Sequence, residues 1–166
     1  MKESYRKILM SAHGEGTSAP EEVLRLTMEF ERYHGSVKRA ILAGQDMLAV
    51  EESLSGTTSE PYLRASETLA NLYQQDGDHG RAVSLLRQNV AIGDLVFPAR
   101  DEQRGTTRMN LALALARHKQ FDEAERWANE AVAAASSARP SQPNRFIGQV
   151  EQIRRMKTAA APPESK

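Results

Sequence analysis

Three alanines, Ala40, Ala82 and Ala124, stand 42 residues apart, and each follows a turn position by five residues, occupied in turn by Gly35, Gly77 and Lys119. A recurrence in fixed register constrains the fold more than any single motif, because the same supersecondary unit must be built several times and stacked on itself. Ahead of the turns lie Glu22-Val23-Leu24-Arg25-Leu26, the segment from Ala65 to Tyr73, and the segment from Met109 to Leu115. Each copy therefore reads as helix, turn, helix.

Local signals agree with that frame. Ser18-Ala19-Pro20-Glu21 is a capping box with proline in the first turn, and Ser59-Glu60-Pro61 repeats the device after Gly56 has stopped the helix before it. Pro98 separates the second pair from the third, and Pro140 closes the third. In the second helices the small and apolar positions keep helical spacing, as at Val37, Ala40, Ile41, Gly44, Met47 and Leu48. Phe121, Ala124, Ala128, Ala131, Val132 and Ala135 keep it again in the third copy. The stretch 110-NLALALA-116 alternates like a strand, but alanine sits on any face and is the best helix former. It reads as helix, with Leu111 and Leu115 toward the core and Asn110 and Leu113 on the opposite side.

The expected architecture is all-α: a right-handed α-solenoid of three helix-turn-helix repeats at about 18–56, 59–97 and 100–138, with a capping helix over 144–157. In that last helix Phe146, Ile147, Val150 and Ile153 are expected on one buried face. Residues 1–17 read as a short N-terminal helix and loop, and 158–166 as a disordered tail.

Composition removes several classes of function. The chain has no cysteine, which excludes disulfides, thiolate zinc sites and a cysteine nucleophile. Lys plus Arg (22) balance Asp plus Glu (22), unlike the basic excess of a dedicated nucleic-acid binder. Neither an apolar signal core nor an 18-residue apolar run is present, so no membrane role is expected and the cytoplasm is the expected compartment.

Leu69-Ala70, Tyr73, Gly77, Ala82 and Leu86 resemble the tetratricopeptide repeat signature, and Leu111-Ala112, Leu115, Phe121-Asp122-Glu123-Ala124 and Ala131 carry it into the third copy. The first copy keeps Gly35 and Ala40 but has Glu31 at the usual tyrosine. The 42-residue period resembles the longer subclass of kinesin light chains and bacterial peptide-sensing regulators. That resemblance covers roughly residues 21–137. It implies a concave groove, lined by the first helices, that holds an extended peptide or a partner helix. Carried onto this chain, the lining is Arg25, Glu29, Arg32 and Tyr33, then Arg64, Glu67, Asn71, Gln74 and Gln75, then Asn110 and Arg117. Asn and Gln can bond a peptide backbone as donor and acceptor together, and Arg grips carboxylates. The carboxylate clamp of chaperone adaptors is argued against by Glu29, and by Thr106 and Asn110 where the third repeat would need basic residues.

Catalytic and metal readings find little support. His13, His34, His79 and His118 include no pair at i, i+4; three sit at or beside turns along one edge of the expected solenoid. The run 13-HGEGTS-18 lacks phosphate-loop spacing, and Glu51-Glu52 and Asp101-Glu102 read as solvated helix ends. Trp127 reads as filler of the core or a repeat interface, and Arg154-Arg155-Met156-Lys157 as a helix end whose cations complement the dipole. The resulting expectation is a non-enzymatic protein–protein interaction module, an adaptor or scaffold with a protein or peptide partner and no cofactor or metal. The alternative is a structural subunit that self-associates or joins a larger assembly. A local stripe of Arg25, Arg32 and Arg64 is all that would favour nucleic acid.

Overall fold

A computed structural model describes Met28, residues 35–99 and residues 101–161. Within them lie six helices: α1 (Val37–Ser55), α2 (Glu60–Gln75), α3 (His79–Val96), α4 (Glu102–Arg117), α5 (Phe121–Ala138) and α6 (Ile147–Ala160). The described residues contain no strand. The capping box at Ser18, the N-terminal segment and most of the first repeat's first helix lie outside the described residues.

Each boundary has a local cause. Ser59 Oγ accepts from the Tyr62 amide at 3.3 Å and Pro61 occupies the first turn of α2. Asp78 Oδ1 caps α3 through the Arg81 amide at 3.0 Å, and Asp101 Oδ1 caps α4 through that of Gln103 at 2.8 Å. The turns between paired helices reverse the chain through left-handed residues, Gly77 at φ 83° and Lys119 at φ 62°. Glycine takes that conformation without a Cβ penalty, whereas lysine pays it.

Consecutive helices pack on one another from α1 to α6, and α6 also touches α4. Ala40, Ala82 and Ala124 are fully buried at the seams of their pairs. One cluster gathers Met28, Ile41, Leu69, Leu72, Tyr73 and Ala82; the larger one joins α3, α4 and α5 to the cap through Leu86, Leu111, Leu115, Ala124, Phe146 and Ile153. Leu111 and Leu115 are wholly buried while Asn110 and Leu113 keep partial exposure, so 110-NLALALA-116 is a helix with leucine on the core side. Trp127 is half-buried against the larger cluster, and its indole N–H donates to Glu123 Oε1 at 3.3 Å.

The cap closes the array differently in detail from the expectation. Phe146, Val150 and Ile153 enter the core, but Ile147 stays 49% exposed because it lies about 100° around the helix from Phe146. The helix also begins at Ile147 rather than Asn144, whose side chain instead accepts from the Phe146 amide at 3.0 Å. It runs past Lys157 to Ala160, since Thr158-Ala159-Ala160 still favours helix and Pro162 comes only after it. Lys157 ties α6 to α5 through Asp122 at 2.8 Å and Glu125 at 2.7 Å. Glu102 receives Arg139 and Arg145, each at 3.0 Å. A second correction concerns Glu51, which is 7% exposed and not solvated: it continues the inward stripe of Ala40, Gly44 and Leu48.

Among the described glycines, Gly105 has the closest neighbours. A Cβ there would lie 2.9 Å from Phe146 Cε2 and 3.0 Å from the Ala131 carbonyl oxygen, and that backbone atom cannot swing aside. Gly105→Ala should therefore cost about 1–3 kcal/mol by overpacking, read as a lower urea midpoint. Ala124→Leu should cost a similar ~1–3 kcal/mol for the same reason. By contrast, Lys119→Gly should stabilise by up to about 1 kcal/mol by removing the left-handed strain; a lowered melting temperature would contradict this account of the turn.

Candidate functional site

Helix α3 packs against both α2 and α4, so these two first helices stand as neighbours with α3 behind them. On α2 the buried stripe includes Leu63, Ser66, Leu69, Ala70 and Tyr73, which turns Glu67, Asn71 and Gln74 at i, i+4, i+7 away from the core. On α4 burial of Met109, Leu111, Ala112, Ala114 and Leu115 leaves Asn110, Leu113 and Arg117 on the corresponding side.

Two polar rungs join these faces. The Asn110 side-chain amide donates to Glu67 Oε1 at 3.2 Å, and Arg117 donates to Gln74 Oε1. Partners in both rungs are 43 residues apart in sequence, one more than the alanine frame. The rungs are two helical turns from each other, about 10.5 Å along the helix. Asn71 lies between them on α2 and is exposed, as are Gln75 and Arg117; Glu67, Gln74 and Asn110 are half-buried. Arg64 is one turn before Glu67 and pairs with Glu60 at 2.6 Å. Thus the structure brings Glu67 to Asn110 and Gln74 to Arg117, and ties Arg64 to Glu60 instead. Arg25, Glu29, Arg32 and Tyr33 lie outside the described residues.

Electrostatics single out Glu67. Burial raises its carboxyl above the ordinary value of 4.5, while the Asn110 hydrogen bond and the charge of Arg64 oppose that rise. Among the described residues no cation forms an ion pair with it.

Two features of this region are not marked by any motif in the sequence. Arg145, from the loop before α6, donates to Thr106 Oγ1 at 2.6 Å, so a guanidinium does stand at this position of the third repeat, but Glu102 engages it. Only the loop's path reveals this. The other is an open depression of about 410 Å³ at the turn edge, lined by Asp76, Gly77, Asp78, His79, Gly80 and His118. His79 and His118 come from different repeats, as their turn positions suggest. Among the described residues no group of three or more His, Asp or Glu side chains is arranged to hold a metal ion.

Residues 62–137 match the family model of the tetratricopeptide repeat. No curated protein matches the chain. Similar solved structures include the nearly identical TPR-like repeats of a Podosopora anserina kinesin light chain candidate, at 23% identity and a TM-score of 0.64, covering 90% of this chain and 81% of that one. A single-substitution variant of it matches at 24% identity and a TM-score of 0.64, with 84% and 74% covered. At such identity the likeness establishes the fold.

The raised carboxyl of Glu67 has a consequence for stability. The folded chain holds this proton more tightly than the unfolded chain does. Its favourable contribution is full below the unfolded value and is lost as pH rises through the folded one. Glu67→Gln, which fixes the neutral form, should melt higher than the wild type at neutral pH, and the gap should close below about pH 4.5, the unfolded value. Melting curves across that range check the sign.

Proposed function

Because the chain is a tetratricopeptide-repeat protein across residues 62–137, we propose that it is a non-enzymatic interaction module holding an extended peptide or partner helix against the shared face of α2 and α4. Repeats of this family mediate protein–protein contacts, and this reading adds where the contact lies. It makes the chain an adaptor or scaffold.

The observation that carries it is the pair of polar rungs with Asn71 exposed between them. Carboxamides at Asn71, Gln74 and Asn110 offer donor and acceptor together, which suits a peptide backbone of any sequence. A nucleophile, its base and an orienting group do not come together on this face, so a binding role fits it better than catalysis. The arginine stripe considered for nucleic acid loses a free charge where Arg64 meets Glu60.

Self-association is the second reading, favoured by Leu95 at 74% exposure and by Leu42, Leu54 and Ile147 near half exposure. The outer side of α6 opposes end-to-end stacking, since it presents Glu151, Gln152, Arg154 and Arg155. No helix among the described residues is long and apolar enough to cross a membrane.

A fluorescent pool of degenerate decapeptides, titrated with the full chain, tests the binding face. Wild type should retain a subset, and Asn71→Ala/Asn110→Ala should weaken retention about tenfold or more while keeping its helical circular dichroism at the assay temperature, as expected when two backbone-gripping residues are lost. Equal retention by both proteins contradicts the proposal. Light scattering across micromolar concentrations should show a monomer; a dimer would favour the second reading.

A further inference from the structure

Glu67 sits at the centre of the face proposed to bind, and its environment is unusual for a carboxylate. It is half-buried, and among the described residues its one hydrogen bond comes from a neutral amide, that of Asn110, at 3.2 Å. A carboxylate offers about four lone-pair sites, so most of this acceptor's capacity is unused. The groups acting on it are Arg64 of its own helix, which Glu60 holds at 2.6 Å, and Asn110 of α4; among the described residues no charged group of α1 or α3 acts on it. The other face residues differ. Arg64 is neutralised by Glu60, and Arg117 is engaged by Gln74.

A partly desolvated charge without a counter-ion costs stability unless something outside the chain compensates it. Resting on the binding reading above, we infer that Glu67 selects its partner: the bound segment presents a lysine or arginine side chain whose cation pairs with the Glu67 carboxylate beside Asn110. The resting protein bears the cost of desolvation, and the incoming cation removes it. Charge complementarity at this point sets specificity more than total affinity. The rise in the Glu67 carboxyl value, caused by burial, agrees with this assignment, and it makes the selection sensitive to pH.

The test uses acetylated, amidated decapeptide pools with one central position fixed as lysine, arginine, norleucine or glutamate and the rest degenerate. They are offered to the immobilised full chain at neutral pH. The lysine and arginine pools should be retained about fivefold above norleucine, the scale of one partly screened ion pair, and glutamate should fall below norleucine. Glu67→Gln keeps an acceptor for Asn110, so the fold and the rung survive while the basic preference disappears. Lowering the pH through the Glu67 value should erase the preference in wild type without altering the variant.

A basic preference that persists in Glu67→Gln overturns the inference, and so does a preference for the glutamate pool. If retention depends on Asn71 and Asn110 but ignores the fixed residue, the binding face stands and this selection by charge falls. If wild type retains no pool, the binding face itself falls, and this inference with it.

Discussion

The array depends on helices approaching closely where side chains are small. Ala82 and Ala124 are wholly buried at the seams of their pairs, and Gly105 lets α4 lie against the α5 backbone and the Phe146 ring. A close seam excludes water and aligns large neighbours such as Leu86 and Leu115. It also fixes the rotation of each helix, and that rotation decides which residues face outward. The polar face of α2 and α4 is thus a consequence of the apolar seam behind them. Adding one methyl group at Gly105 would disturb the cap and the helix carrying Asn110 together.

Polar contacts then set the spacing between units. Arg108 Nη2 lies 2.9 Å from both carboxylate oxygens of Asp94, and Arg104 donates to the Phe97 carbonyl at 3.0 Å, fastening the end of α3 to α4 across Pro98. Ser66 donates to Asn89 at 2.6 Å inside the α2–α3 seam. These bonds are directional where apolar packing is not, so they hold one register of stacking among several that hydrophobic burial alone would tolerate. At the other end of the array, Glu102, through Arg145 of the loop before α6, and Lys157 fasten the cap.

Much of this was legible in the residues. The alanine frame, Ser59-Glu60-Pro61 and the inward leucines of 110-NLALALA-116 follow from spacing, because seams and caps are local demands repeated at one period. The 43-residue offset of the rungs could have been found by sliding each outward residue of α2 onto α4. Glu51 inward and Ile147 outward also follow from helical spacing, against the polarity of the first and the apolarity of the second. Other features depend on geometry that no period encodes: Arg145 reaches Thr106 because of the path of the loop before α6. That Glu67 has no ion pair among the described residues is also a tertiary fact: Arg64 stands three residues before it, yet pairs with Glu60.

The central claim is that partners bind on the face shared by α2 and α4, and side-chain amide NMR tests it most directly. A peptide selected from the degenerate pools is titrated into the labelled full chain. The account predicts the largest shifts at the carboxamides of Asn71, Gln74 and Asn110, with the amides of Asn129 and Gln152 unmoved. Shifts concentrated at the turn edge near His79 and His118, or on the outer side of α6, would contradict it.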